Sequence, residues 1–295
     1  GVIEVRGGGG VPGELIISAG VLLNNPAAII RATADDAEIT GTITNLGTVD
    51  VNGDLELFNI GATFTSDTGD IDVLSGKTFS VTDGTTVLAG GTGQLGGGTL
   101  DLAGAAHILD LNSTLTLDGG LSLALSGIVT IQTGADADLI NQTTLDLSGD
   151  TIAASVDVDN QALLRVPNNN QSFIDGMILS NTGSIEINGI GNTTRLTVAN
   201  GFSNDGTIKV QGMSGVIGEL VVNGGPLQNN GGGIIRSTGD NARITATLTN
   251  LGTIDANSDF ELLNTGTTFT SDAGDIDVLS GKTFTVTDGT TVLGG

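Results

Sequence analysis

Read for apolar and polar positions, the chain repeats one short sentence. In "NTGSIEI" at Asn181 the apolar Ile185 and Ile187 flank Glu186, and in "NDGTIKV" at Asn204 the apolar Ile208 and Val210 flank Lys209. Alternation of period two predicts a strand with one face inward. A second apolar pair follows about ten to twelve residues later, as in Leu196/Val198 and Leu220/Val222. The frame recurs at Asn141, Asn160, Asn181, Asn204, Asn230, Asn250 and Asp272, and in the first part of the chain at Asn25, Asn45 and Asp67. An apolar residue comes just before (Leu179, Phe202, Leu227, Leu248, Phe269), and the Asn and Gly read as a turn, since both tolerate positive φ. The pattern predicts an all-β, single-stranded parallel β-helix (β-solenoid) of about 13 coils, each of roughly 19–26 residues and two or three strands. Between 73 and 140 the frame does not place every coil.

A longer period overlies this one. "GDIDVLSGKTF" stands at 69–79 and again at 274–284, and residues 1–90 match 206–295 at about two-thirds of positions. Residues 1–205 therefore read as one complete unit, and 206–295 as a partial second copy continuous with it. Gly1 opens the chain without Met or a signal-like segment, and the second copy stops mid-pattern. The sequence reads as a window from a tandem array.

Stacking turns sequence positions into columns. The Asn column from 141 to 250 predicts side-chain amides about 4.8 Å apart, each donating to the next. The first outward position reads Asp146, Arg165, Glu186, Lys209, so that charges alternate from coil to coil. Each opposite-charge pair across such a ladder contributes about 0.2–1 kcal/mol. Phe64, Phe79, Phe269 and Phe284 are expected inside.

Composition narrows the function classes. The 295 residues include 48 Gly, no Cys, no Trp and no Tyr, so neither a disulfide framework nor a thiolate metal site can form. A formal net charge of −24 repels nucleic acid and anionic lipid, and no apolar run approaches membrane-spanning length.

Several motifs invite a chemical reading. "GTGQLG" at 91–96 matches a dinucleotide fingerprint in Gly91, Gly93 and Gly96, but that motif works only between a strand and a helix, and a strand-like "GGTLDL" follows. "GGGVPG" at 8–13 is a second chance match. His107, the one histidine, has no triad or ligand partners in the sequence and reads as an exposed or loosely packed strand residue. No catalytic or cofactor-binding residue is assigned. Asp50, Asn52, Asp54 and Glu56 alternate as at the start of a calcium loop, and "DANSDFE" repeats them as Asp255, Asn257, Asp259 and Glu261. The spacing lacks the closing Glu of an EF-hand loop. One coil on, Asp72 and Asp277 fall in the columns of Asp50 and Asp255, where like charges about 5 Å apart cost of order 1 kcal/mol in water. A bound cation would remove that cost, so Asp50, Asn52, Asp54, Asp72, Asp255, Asn257, Asp259 and Asp277 are the candidates for weak calcium binding. Thr40, Thr42 and Thr44 lie one coil before Thr63 and Thr65, an arrangement similar to flat ice-binding faces.

Recurring "N-x-G-T-I-x-V" coils, Gly/Thr/Asn/Asp richness, no cysteine and long near-identical units resemble the β-solenoid passenger and stalk regions of bacterial surface proteins. These include filamentous-haemagglutinin-like adhesins and autotransporters. The resemblance implies an extracellular, cell-surface or matrix location and a structural or adhesive role. The implied partners are neighbouring repeat units end to end, by self-assembly, and a surface or glycan receptor, with no nucleic acid and no membrane insertion. It transfers no site residue. The rivals are a β-helical polysaccharide-active enzyme, which aromatic-poor and base-poor composition disfavours, and an ice-binding solenoid.

Overall fold

The computed structural model describes residues 1–89, 94–118, 122–134, 137–168, 170–213, 215–264 and 266–294. The fold is an all-β parallel β-solenoid of about 12 turns, without a helix among the described residues. Two compact units divide at Thr143/Thr144, so the repeat boundary at 205/206 lies inside the second.

In the first unit, Val2–Val5, Ile29–Ala32, Thr48–Val51, Asp70–Val73 and Gln94–Gly96 stack as one parallel wall. A typical coil has three strands, as in Asp70–Val73, Thr78–Thr82 and Thr85–Leu88. Alternation sends Ile71, Val73, Phe79, Val81 and Leu88 inside, each at most 3% exposed. The stretch in which the sequence frame is illegible holds ordinary coils: Thr99–Ala103 pairs with Ser122–Leu125, and His107–Leu111 with Val129–Thr133. They lack the Asn-x-Gly signal, so periodicity alone does not mark them. In the second unit seven strands form the corresponding wall, from Thr144–Asp146 to Asp275–Val278.

The Asn ladder is present, and it is buried. In the second unit Asn160 donates to Asn181 (2.6 Å), Asn181 to Asn204 (2.6 Å), Asn204 to Asn229 (2.7 Å), Asn229 to Asn250 (2.8 Å) and Asn250 to Ser271 (3.0 Å). In the first, Asn24 donates to Asn45 (2.7 Å) and Asn45 to Ser66 (3.1 Å). Four frame positions are corrected by one residue: Asn24, Asn229, Ser66 and Ser271 occupy the column, not Asn25, Asn230, Asp67 and Asp272. The reason is the pleat. Leu227 points inward, so Asn229 does too, and Asn230 falls on the other side. Each amide also reaches a backbone carbonyl, such as Asn45 to Asp70 O and Asn250 to Asp275 O. The buried polar column is thereby satisfied.

The glycine of the Asn-x-Gly turn has a different purpose from the one its φ preference suggests. Gly47, Gly69, Gly252 and Gly274 are absent from the positive-φ residues. They lie against the Asn amide of the preceding coil, and a Cβ at Gly69 or Gly274 would collide with the side chain of Asn45 or Asn250. Close approach, rather than backbone conformation, demands glycine here. Positive φ does explain the Asp-Gly turns: Asp83 and Gly84 sit at 58° and 79°, and Asp288 and Gly289 at 62° and 70°.

Phe64, Phe79 and Phe269 are buried as expected, and Phe64 meets Phe79 edge to face at 5.4 Å. Phe269 and Phe284 repeat that contact at 5.9 Å. Phe284 itself is only half-buried, because no further coil covers it.

The ladder generates a paired test. Asn181→Ala removes the acceptor that Asn160 uses and the donor to Asn204, and should cost about 1–3 kcal/mol in urea unfolding. Asn230→Ala loses only an outer bond to Asp205 (2.8 Å), and should stay within about 0.5 kcal/mol of the parent. Equal losses would contradict the buried-ladder assignment.

Candidate functional site

Outward side chains form charged columns on the first wall. In the second unit Arg165 donates to Asp146 through Nε (2.8 Å) and Nη2, and Lys209 lies 3.6 Å from Glu186. Arg165 and Glu186 are register partners, so the predicted alternation holds from Asp146 to Lys209. It then breaks: Lys209 faces Arg236, Arg236 binds Asp255 (2.7 Å), and Asp255 faces Asp277. In the first unit Arg31 binds Asp50 (2.6 Å), which faces Asp72. These pairs are partly solvated and individually weak.

The structure brings together some of the calcium candidates and separates others. Asp50 stacks on Asp72, as Asp255 does on Asp277, but the inner member of each pair already holds an arginine. Asn52 is on hand, donating to Asp50 at 2.7 Å, whereas Asn257 donates its backbone N–H to the Asp255 carbonyl (3.2 Å). Asp54 and Asp259 sit at a turn outside these columns. Asp54 accepts the Thr78 N–H (2.9 Å), and Asp259 accepts the Thr283 N–H and hydroxyl (3.0 Å each), which together hold its carboxyl below the usual carboxylate range. Lys77 reaches back two coils to Asp35, lowering that carboxyl's pKa while its own rises, and Lys282 reaches Asp240 (3.0 Å), which raises the lysine's pKa. Among the described residues no group of three or more His, Asp or Glu is arranged to hold a metal.

A groove on the second wall is the feature that sequence reasoning missed. In the first unit Glu14, Glu38 and Glu56 are successive register partners. Asp36, Glu38, Asp54 and Glu56 line an open groove of about 300 Å³ beside Gly10 and Pro12. In the second unit the column reads Arg195, Glu219, Arg243, Glu261, with ion pairs at 2.6 Å (Arg195–Glu219) and 2.7 Å (Arg243–Glu261). The equivalent groove, about 240 Å³, is lined by Asn241, Arg243, Asp259 and Glu261. One copy thus carries two carboxylates and an arginine where the other concentrates four carboxylates. Aligning the two copies and reading only charge changes, Asp36 against Asn241 and Glu38 against Arg243, would have exposed it. Chemically the groove can concentrate cations through its field, and the hydroxyls of Thr78 and Ser80 line it beside the carboxylates.

His107 corrects an expectation. It is 1% exposed, opening the strand His107–Leu111 on the inward phase, with Nε2 2.9 Å from Thr86 Oγ1. Alternation from Leu109 and Leu111 carries it into the core. The dinucleotide-like glycines Gly91 and Gly93 lie outside the described residues, while Gln94–Gly96 is a strand. The threonine array is shallow: Thr44 faces Thr65, but the next neighbours on either side are Leu23 and Val87.

Two tests follow from these sites. Burial pushes the His107 imidazole below its ordinary pKa, against the pull of Asp83 and Asp101. A depressed histidine binds its proton more tightly unfolded, so its stability contribution is complete above about pH 6.5 and is lost as pH falls through the folded value. The stability of His107→Leu relative to the parent should therefore improve between pH 7 and 5, and a pH-independent difference would contradict the buried neutral imidazole. Calcium binding at the aspartate columns would raise Tm modestly, following RT ln(1 + [L]/Kd). Asp72→Asn with Asp277→Asn should abolish the rise, and no shift at millimolar calcium, with magnesium as control, would refute that reading.

No protein-family model, curated protein or solved structure matches this chain.

Proposed function

We propose that this chain is a structural and adhesive segment of a stiff extracellular rod or filament, part of a longer tandem array on a bacterial surface. The observation that carries the reading is the duplicated "GDIDVLSGKTF". In each copy its residues perform mechanical tasks: Gly69 and Gly274 lie on the ladder amide, Lys77 and Lys282 tie coils together, and Phe79 and Phe284 pack edge to face. A motif repeated for such reasons is a stacking device and has no need of a substrate. The β-solenoid fold is compatible with a structural repeat protein. The adhesive role and the surface location rest on the resemblance to bacterial adhesin stalks, with a surface or glycan receptor as the outward partner and neighbouring units as the end-to-end partners.

On this reading stacking continues from one repeat unit to the next and sets the length. Chains with increasing numbers of 205-residue units, measured by small-angle scattering or electron microscopy, should lengthen by about 45 Å per unit at constant width. Beads on a flexible string, or compact globules, would overturn the rod.

A further inference from the structure

In the second unit the charge column Arg195, Glu219, Arg243, Glu261 has a companion two residues further along the same strands. Phe173, Thr197, Val221, Thr245 and Leu263 are successive register partners, so an apolar side chain and a threonine alternate from coil to coil. At the strand spacing the apolar side chains recur about every 9.6 Å. All point outward: Phe173 is 38% exposed, and the other four are half-buried.

Both columns are palindromic. Reversed end for end, the charge column meets itself with opposite signs, Arg195 against Glu261 and Glu219 against Arg243. The same reversal sets Thr197 against Leu263 and Val221 against Thr245, so each apolar side chain meets a threonine.

We propose that this wall docks on the same wall of a second copy of the chain, antiparallel, about a two-fold axis lying along the strands between the coils of Glu219 and Arg243. A two-fold interface requires a self-complementary patch of this kind. With the sheets about 10 Å apart, the larger apolar side chains of one copy fill the space above the smaller threonines of the other. Arg195–Glu219 and Arg243–Glu261 already pair within the chain at 2.6 and 2.7 Å. That pairing holds the charged groups in place before docking, which lowers the ordering cost. Arg195 and Glu261 still expose 39% and 33% of their side chains, whereas Glu219 exposes 5% between its two arginines. The outer pair is therefore the one free to bond across the interface.

The first unit has the same shape and the wrong charge. Ile16, Thr40, Phe58 and Thr82 repeat the alternation, but the column beside them reads Glu14, Glu38, Glu56. Reversal there sets acid against acid, so charge confines the pairing to the second unit. An interface of a few coils is small, and single chains pair weakly and transiently. The pairing is lateral, goes beyond the end-to-end reading and needs no tandem array.

Charge reversal in the full chain tests it. Arg195→Glu and Glu261→Arg should each weaken self-association, read by sedimentation, by about tenfold or more, since each then faces a like charge. An equimolar mixture of the two should recover to within about threefold of the parent, because the two reversed side chains face each other. The fold tolerates such stacking: Glu14 already faces Glu38, and Lys209 faces Arg236. The chain has no cysteine, so engineered disulfides report the register. Thr197→Cys chains mixed with Leu263→Cys chains, oxidised with copper phenanthroline, should cross-link to each other about tenfold faster than either to itself, since only opposed positions come within about 7 Å. A parent that stays monomeric at millimolar concentration, variants that associate as the parent does, a mixture that does not recover, or equal cross-linking in all combinations would overturn the proposal. End-to-end association without this cross-link would do the same while leaving the rod reading intact.

Discussion

The fold depends on one constraint: a coil cannot satisfy its own backbone. Its strands are three to five residues long in most coils and pair only with the coils before and after. A buried N–H or carbonyl left unpaired costs about as much as a lost hydrogen bond, so each coil is stable only as part of a stack. Burial obeys the same rule. Val73 and Val278 have identical local sequence and opposite exposure, because one has a coil above it and the other does not.

Within that constraint the side chains do two jobs. Inward, apolar residues and the Asn ladder fix register, since a slip of one residue would turn every Asn outward and every Ile with it. Gly47, Gly69, Gly233, Gly252 and Gly274 give the amide of the preceding coil's ladder Asn its room. Outward, charge is distributed differently in the two copies. Arg195, Glu219, Arg243 and Glu261 form a balanced column in the second, and Glu14, Glu38 and Glu56 leave the first strongly acidic. The scaffold is held nearly constant while the surface is varied.

Much of this was legible from the chain. Period-two alternation located the inward faces of Ile185, Ile187, Ile208 and Val210, and the Asn frame located the ladder in outline. The errors have physical causes. In "NN" and "SD" the turn signal falls on both residues, and only the pleat decides that Asn229 and Ser271 point inward. His107 was misplaced because a polar residue in a strand reads as outward until its neighbours fix the phase. Within one copy the acidic groove is hidden, because its members, Asp36, Glu38, Asp54 and Glu56, come from two coils and converge only through register; only the charge changes between the copies mark it. What an outward surface binds is not written in the periodicity that encodes the stack.

The central claim is that stability here is borrowed from the neighbouring coil rather than stored in local sequence. Residue-resolved hydrogen exchange on the unaltered chain tests it directly, because "GDIDVLSGKTF" occurs once covered and once uncovered. The account predicts amides in 70–79 exchanging more slowly than their sequence-identical counterparts in 275–284 by about 100-fold or more. Matching rates in the two copies would contradict it.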